Sequence, residues 1–251
     1  MEMDRKIAVL IDADNVSEKY IKHIFDEISN YGTATYKRIY GDWTKPALSS
    51  WKAVLLDYSI TPIQQYSYTT GKNATDSALI IDAMDILYSG NVDGFCIVSS
   101  DSDFTKLAAR LREAGMFVIG MGEKKTPTPF KSACEQFKYL EVLASVPSHT
   151  HQQAAKAAIQ GTTPEGLATS KEELIEFIKT VIMESSDEDG WVFLGEVGKR
   201  LGKRYPDFDS RNYCCPKLSA FISSLNQFEM EARKTADPNI KHYYIRNKVD
   251  K

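Results

Sequence analysis

The stretch FCIVSSDSDF, Phe95–Phe104, decides the fold class of this chain. Its first four residues are apolar and form the short run that is typical of a strand buried on both faces. Asp101 and Asp103 follow shortly after, although carboxylates are costly to bury unless something compensates their charge. KIAVLID, 6–12, repeats this order near the start of the chain, because its apolar run ends in Asp12. Two predicted core strands therefore end in acidic residues.

Strand-like and helix-like stretches alternate through the first part of the chain. The predicted strands are 6–12, 34–42, 60–66, 94–100 and 116–122, with 137–143 as a sixth or edge strand. The helical patterns between them are 16–30, 45–58, 75–90 and 103–115. This alternation predicts right-handed crossovers and an α/β fold, in which helices cover both faces of a parallel sheet. The charged segment 122–131 is interpreted as a solvated turn.

Acidic residues stand at the carboxyl ends of several predicted strands. Ligands of an open parallel sheet bind outside these ends, near the point where the strand order reverses. Mutual repulsion of carboxylates is unfavourable unless a cation neutralises it, and Mg²⁺ or Mn²⁺ prefers oxygen ligands. The acids expected at this edge are Asp12, Asp14, Asp42, Asp76, Asp101 and Asp103.

Each acid also has a plain structural interpretation, since Asp and Asn after a strand commonly cap helices or form turns. Asp14 and Asn15 directly precede a helical pattern, so Asp14 is the weaker candidate of the first pair, and Asp103 could likewise cap the next helix. Asp82 lies within a helix, where it either faces the site or pairs with lysine or arginine. Capping accounts less well for acids that recur at the same end of three strands.

Composition excludes several classes of protein. The four cysteines lack metal-ligand spacing, so we expect reduced thiols, and with only four histidines the chain has little material for a zinc site. No run of about 18 apolar residues could span a membrane, and the N-terminus lacks a signal-peptide pattern. We therefore expect a cytoplasmic protein without a membrane partner. The net charge of −3 means that any nucleic-acid contact must come from local patches.

One such patch surrounds the predicted acidic edge. Aromatic rings and lysines beside a metal site suit a nucleic-acid strand, through base stacking and phosphate contact. Each of these side chains, taken alone, reads equally well as an incidental loop residue. The candidates are Trp43, Lys45, Tyr66, Tyr68, Lys72 and Asn73.

Residues 146–169 divide the chain into two domains, 1–145 and 170–251. They contain no aromatic residue and are rich in Ala, Gln, Thr, Pro and Gly, which is typical of a flexible connector. After them, an amphipathic helix begins with Ser170 and Glu173 as a capping box. A short strand, two helices and a hairpin are predicted to follow.

Three motifs of the first domain together resemble the NYN domain of the LabA-like group, within the PIN-like nuclease superfamily. They are DADN at Asp12–Asn15, GKNATDSALIIDAMD at 71–85 and IVSSDSDFTKLAARLREAGMFVIGMG at 97–122, and the resemblance covers roughly residues 5–143. The chain departs from the family at 72–75, where Lys-Asn-Ala-Thr replaces a Lys-Gly-aliphatic run. The resemblance implies a three-layer, PIN-like or Rossmann-like domain.

The same resemblance implies a metal-dependent ribonuclease. Asp12 and Asp101 are the expected main ligands, because their strands are expected to be adjacent, while Asn15 and Asp82 support the site. The implied metal ligands for Mg²⁺ or Mn²⁺ are Asp12, Asp42, Asp76, Asp101 and Asp103.

Residues 170–247 resemble the OST-HTH or LOTUS domain, a winged-helix module associated with RNA. The resemblance rests on the runs W-V-x-L-x-x-V-G-x-x-L and P-x-F-D-x-R-x-Y, and it departs at Cys214, where glycine is commoner. Without the resemblance, the basic run would read as a solvated helix surface. The implied RNA-binding residues are Lys199, Arg200, Lys203, Arg204, Arg211, Asn212, Tyr213 and Lys217.

The leading hypothesis is a metal-dependent ribonuclease, endonucleolytic, with a tethered module that binds single-stranded or structured RNA. The first alternative is a non-catalytic RNA-binding regulator with a degenerate nuclease fold. The second is a phosphatase of the haloacid dehalogenase type, because IDADN contains a D-x-D sequence, although no later lysine motif accompanies it. DNA as a substrate, the number of metal ions and a homodimer are left open.

Overall fold

Two compact units make up the chain. The computed structural model describes residues 4–66, 74–145, 169–234 and 241–248. Its units are Met1–Ala154 and Ala155–Lys251, and each is described by itself below. Nearly all of the predicted connector, residues 146–168, lies outside the described residues.

A six-stranded parallel sheet forms the centre of the first unit. The strands are β1 (Arg5–Asp12), β2 (Gly32–Gly41), β3 (Thr61–Gln64), β4 (Gly94–Val98), β5 (Phe117–Gly122) and β6 (Gln136–Tyr139). Their order is β3-β2-β1-β4-β5-β6, with β1 flanked by β2 and β4. The chain therefore adds strands on one side of β1 and then on the other. This order creates a crevice between β1 and β4 at the carboxyl edge of the sheet.

Helices cover both faces of this sheet, which confirms the predicted α/β fold. They are α1 (Ile21–Ile28), α2 (Trp51–Asp57), α3 (Ala74–Ser89), α4 (Thr105–Glu113), α5 (Thr128–Ala133) and α6 (Leu140–Ser145). Alternate side chains of β1 enter two separate cores, because successive residues of a strand point to opposite faces. Val9 packs with residues of α1, α2 and α6, whereas Leu10 packs with residues of α3, α4 and α5.

Several segments differ from their predicted structure. The helices predicted over 45–58 and 103–115 begin as the 3-10 turns Pro46–Leu48 and Ser102–Phe104. The helix predicted over 16–30 begins as a short 3-10 turn, Glu18–Tyr20, before α1. The strand predicted over 137–143 ends at Tyr139 and continues as α6, because Leu140 and Leu143 pack into a core at helical spacing. The segment 122–131, interpreted as a solvated turn, contains the start of α5.

The second unit combines helices with a small antiparallel sheet, as the winged-helix prediction requires. Its elements are α7 (Lys171–Ser185), β7 (Val192–Phe193), α8 (Leu194–Arg204), α9 (Leu218–Leu225), β8 (Phe228–Lys234) and β9 (Lys241–Asn247). The strand order is β7-β9-β8. Ser170 caps α7 by accepting a hydrogen bond from the Glu173 N–H, at 3.1 Å, as predicted. No helix in the described part of the chain is long and apolar enough to cross a membrane.

Cys214 is the residue at which the second unit departs from the winged-helix family that it resembles, and its backbone conformation explains why glycine is commoner there. It follows a 3-10 turn, Ser210–Tyr213, and its φ of 59° and ψ of 24° place it in the left-handed region. That region favours glycine, which has no Cβ to clash. The fold thus keeps at Cys214 the backbone conformation that a glycine would adopt with less strain. Cys214 is exposed, whereas Cys96 and Cys134 are buried.

Adding one methyl group at Gly120 should destabilise the first unit. A Cβ there would lie 2.7 Å from both the Cys134 Sγ and the Phe137 Cδ2, inside a packed core. Overpacking of this kind typically costs about 1–3 kcal/mol. We expect Gly120→Ala to lower the free energy of unfolding by that amount in urea denaturation.

The matched control for this change is Gly202→Ala in α8. A Cβ at Gly202 meets nothing within 4 Å. Because alanine favours helix, this variant should gain up to about 1 kcal/mol. Equal stability of Gly120→Ala and the unmodified chain would contradict the packing described here.

Candidate metal centre

The pairing of β1 with β4 brings distant acids together at the carboxyl edge of the sheet. Ile11 pairs with Val98, so Asp12 lies beside the turn that follows β4. Asp101 and Asp103 belong to this turn, and Asp76 lies in the first turn of α3. Carboxylate oxygens of Asp76, Asp101 and Asp103 all lie within 4.8 Å of one another.

Ser99 connects the two strand ends, and sequence reasoning missed it. Its hydroxyl donates to the Asp12 Oδ2 at 2.8 Å and accepts from the Asp101 N–H at 3.0 Å. The Asp101 Oδ1 in turn accepts from the Asp103 N–H at 2.9 Å and caps the following 3-10 turn. The only signal in the sequence was a serine two residues before Asp101.

Asp12 is fully buried, and its charge acts on Asp76, one of the three converging acids. Its carboxylate accepts hydrogen bonds from the Asp14 N–H at 3.1 Å and the Asn15 Nδ2 at 2.7 Å, in addition to that from Ser99. Burial raises the pKa of Asp12, and these hydrogen bonds act in the opposite direction. Asp12 is not one of the three acids whose oxygens converge, although it was an expected main ligand.

Asp76 experiences the charge of the whole group. Burial, which is the largest cause, and the neighbouring carboxylates of Asp12, Asp101, Asp103 and Asp14 together raise its pKa to about 6. Among the described residues, no lysine or arginine forms an ion pair with Asp76 or Asp101. A divalent cation would relieve this repulsion, and three converging carboxylates are the hard oxygen donors that Mg²⁺ and Mn²⁺ prefer. The side chains present therefore fit such an ion.

Asp42 and Asp82 lie apart from the three converging acids. The Asp42 Oδ1 accepts from the Thr44 hydroxyl at 2.6 Å and from the Gln64 Nε2 at 3.0 Å, at the end of β2. The Asp82 carboxylate is bound by the Arg38 guanidinium and the Tyr40 hydroxyl. Of its two predicted environments, Asp82 therefore has the one with an arginine partner.

The structure describes only some of the side chains that are predicted to bind nucleic acid at the acidic edge. The Trp43 indole N–H donates to the Ile63 carbonyl at 3.0 Å, which fixes the ring beside β3. Lys45 is exposed, with its Nζ 3.6 Å from the Asp14 Oδ1. Tyr66 is exposed. The other three candidates lie outside the described residues: Tyr68, Lys72 and Asn73.

In the second unit, four of the eight predicted RNA-binding side chains are exposed: Lys199, Lys203, Arg204 and Lys217. Arg200 instead pairs with Glu184 at 2.9 Å and Glu196 at 3.3 Å. Arg211 pairs with Asp209 at 2.7 Å, and the Asn212 Nδ2 donates to the Asp207 carbonyl at 2.8 Å.

Tyr213 lies in the core of the second unit. It is 7% exposed, and its ring centroid is 4.8 Å from that of Phe221. Its hydroxyl donates to the Thr169 carbonyl at 2.7 Å. Both contacts give Tyr213 a structural role, so its presence in a basic stretch was a misleading signal for surface exposure.

Removing the charge of Asp76 should stabilise the metal-free protein at neutral pH. The folded-state pKa of Asp76 lies above the ordinary value of 3.8. Asp76 therefore contributes most to stability while it is protonated, and this contribution is lost as the pH rises through about 6. After allowance for solvent screening, we expect Asp76→Asn to gain on the order of 1 kcal/mol at pH 7 in EDTA. The gain should vanish near pH 4.

Urea denaturation at both pH values measures this difference. Asp85→Asn, on the exposed side of the same helix, is the control and should change stability little at either pH. A loss of stability in Asp76→Asn at pH 7 would show that Asp76 is not repelled by its neighbours.

Comparisons with known proteins assign both units to families. The family model of the NYN domain matches residues 6–141, and that of the OST-HTH/LOTUS domain matches residues 165–240. No curated protein matches the chain.

The solved structures that are similar to this chain include two with low sequence identity. A crystal structure of a protein of unknown function, VPA0982 from Vibrio parahaemolyticus, is 18% identical, with a TM-score of 0.46, over 55% of this chain and 93% of that one. The structure of an ABC transporter, LacI family transcriptional regulator from Brachyspira murdochii is 15% identical, with a TM-score of 0.27, over 55% of this chain and 34% of that one. On the family matches, the chain belongs to the NYN family, and an OST-HTH/LOTUS domain follows its NYN domain.

Proposed function

We propose that this protein is a Mg²⁺- or Mn²⁺-dependent ribonuclease that cleaves RNA endonucleolytically in the cytoplasm. The observation that carries the proposal is the convergence of Asp76, Asp101 and Asp103 within 4.8 Å at the carboxyl edge of the sheet. NYN domains belong to the PIN-like nuclease superfamily, and OST-HTH/LOTUS domains bind RNA. A phosphatase of the haloacid dehalogenase type has no support from these families.

The acids of the site have two kinds of role in this proposal: three bind the ion and one supports them. Asp76, Asp101 and Asp103 hold the divalent ion. The bound ion would lower the pKa of a water molecule and stabilise negative charge on the leaving oxygen. Asp12 is buried at the end of β1, where Ser99 and Asn15 fix its carboxylate, and in this proposal its negative charge strengthens the attraction for a cation.

RNA would reach this edge beside Lys45 and Trp43. Lys45 is exposed and offers a cation to a phosphate, whereas Trp43 forms part of the wall at the end of β2. Tyr68, Lys72 and Asn73 are proposed to extend this surface, with Asp42 supporting it. The phosphodiester backbone is itself anionic, so that both a bound cation and Lys45 are needed to offset repulsion by the acids.

The second unit would hold RNA close to the nuclease domain. The proposed domains are 1–145 and 170–251, joined by the flexible connector 146–169. Tethering raises the effective RNA concentration at the acidic edge without any new contact. The exposed cations that carry phosphate binding in this proposal are Lys199, Lys203, Arg204 and Lys217.

A non-catalytic RNA-binding regulator is the second candidate. Its support is that only three acids converge in the described ranges, while Arg38 and Tyr40 engage Asp82. This candidate predicts RNA binding without turnover.

Cleavage of labelled single-stranded RNA should require both the metal and Asp101. Asp101→Asn keeps an oxygen that accepts from the Asp103 N–H but removes the negative charge that would hold a cation. Loss of a group that only supports a metal ligand commonly costs 10–100-fold, so loss of a ligand should lower the cleavage rate more than about 100-fold. EDTA should abolish cleavage, and Mn²⁺ should restore it.

Asp85→Asn is the matched control and should cleave RNA at the unmodified rate. Cleavage that survives both EDTA and Asp101→Asn would refute the metal mechanism. Tight RNA binding with no cleavage at any Mn²⁺ concentration would favour the regulator instead.

Removing exposed cations of α8 should weaken RNA binding in a salt-dependent manner. Lys203→Ala and Arg204→Ala each remove one phosphate contact in this proposal. For single-stranded RNA, the slope of log affinity against log salt should then decrease in magnitude by about 0.7 per contact. Fluorescence anisotropy over a KCl series measures this slope.

Lys179→Ala is the control for these variants, because Lys179 is paired with Glu176 on α7. Its affinity and salt slope should equal those of the unmodified chain. Unchanged slopes in Lys203→Ala and Arg204→Ala would place the RNA-binding surface elsewhere.

A further inference from the structure

Asp14 joins two segments that border the acidic edge. Its Oδ2 accepts a hydrogen bond from the Thr75 hydroxyl at 3.2 Å, and its Oδ1 lies 3.6 Å from the Lys45 Nζ. Thr75 is only 6% exposed, which is unusual for a polar side chain. Each carboxylate oxygen of Asp14 thus has its own partner, one from the start of α3 and one from the segment after β2.

The bond to Thr75 acts at a place where a helix is weakly held. Helix α3 begins at Ala74, and the N–H groups of a first helical turn have no partner within the helix. Thr75 immediately precedes Asp76, so a tertiary hydrogen bond at Thr75 restricts where the Asp76 carboxylate can lie. Metal binding requires that carboxylate to stay near Asp101 and Asp103.

We propose that Asp14 is a positioning residue, which fixes the first turn of α3 through Thr75 and thereby holds Asp76 in place to bind a divalent cation. This inference rests on the metal centre of the proposed function, to which it adds a residue. Asp14 acts through Asp76 and does not itself bind the ion.

Two observations separate Asp14 from the ligands. Its carboxylate is not among the three that converge, and of the four carboxylates that raise the pKa of Asp76 it has the smallest effect. The positive charge of Lys45 also lies beside Asp14 and offsets part of its negative charge. Asp14 can therefore lie beside the cluster without adding its full charge to the repulsion.

Mn²⁺ affinity of the full chain tests the inference. Thr75→Val removes the hydroxyl without changing charge or size greatly, and we expect about tenfold weaker Mn²⁺ binding, as is common when a group supporting a metal ligand is lost. Thr75→Ser keeps the hydroxyl and should bind Mn²⁺ like the unmodified chain. Thr33→Val is the control, because its hydroxyl also bonds an aspartate, Asp4, but at the opposite end of the sheet.

A double-mutant cycle distinguishes positioning from direct binding. If Asp14 acts through Thr75, then Thr75→Val should have no further effect on Mn²⁺ affinity in the Asp14→Ala background. Equal effects of Thr75→Val in both backgrounds would overturn the inference, as would unchanged affinity in Thr75→Val alone. Titration calorimetry well below the unfolding temperature of each variant keeps the comparison among folded proteins.

Failure of this inference differs from failure of the proposed function. Unmodified protein that cleaves RNA with Mn²⁺, while Thr75→Val binds Mn²⁺ normally, refutes the role of Asp14 alone. Protein that binds Mn²⁺ and loses affinity in Thr75→Val, but never cleaves RNA, refutes the ribonuclease and supports the role of Asp14. A chain that binds no Mn²⁺ would overturn both.

Discussion

The parallel pairing of β1 with β4 is the constraint on which the acidic edge depends. β1 is covered on both faces by core side chains and bordered on both sides by strands, so its position in the sheet is firmly fixed. Its last residue, Asp12, is carried into a fully buried position. The carboxyl group must then find partners, and the register places Ser99 and Asn15 within reach. Asp76, Asp101 and Asp103 converge at the same edge of the sheet.

Charge at this edge acts against stability and for cation binding at the same time. Burial and four neighbouring carboxylates raise the pKa of Asp76, which means that its ionised form is disfavoured in the folded state. A cation bound at this edge would offset part of this unfavourable energy. A protein without this repulsion between carboxylates would gain less stability from binding a cation. Natural proteins commonly accept such local costs at functional sites.

Sequence patterns predicted the fold class and the edge of the sheet at which the acids gather. Both follow from local information, namely the alternation of strands and helices and the residue that follows each strand. Partners across the fold were not predictable. The pairing of Asp82 with Arg38 joins α3 to β2, and the burial of Tyr213 depends on Phe221 in another helix. Ser99 was overlooked because the expected adjacency of β1 and β4 does not reveal which hydrogen bonds join the ends of the two strands.

Ser99 also makes the two strand ends dependent on each other. A hydroxyl has one proton, and since Ser99 gives it to Asp12, its oxygen remains to receive the Asp101 N–H. An apolar residue in its place would remove the acceptor of the Asp101 N–H and would leave the buried Asp12 Oδ2 with only its hydrogen bond from the Asn15 Nδ2. A change in the ionisation of Asp12 would be transmitted through this hydroxyl to the backbone of the turn that carries Asp101. The Ser99 side chain thus links the end of β1 to the turn that carries Asp101 and Asp103.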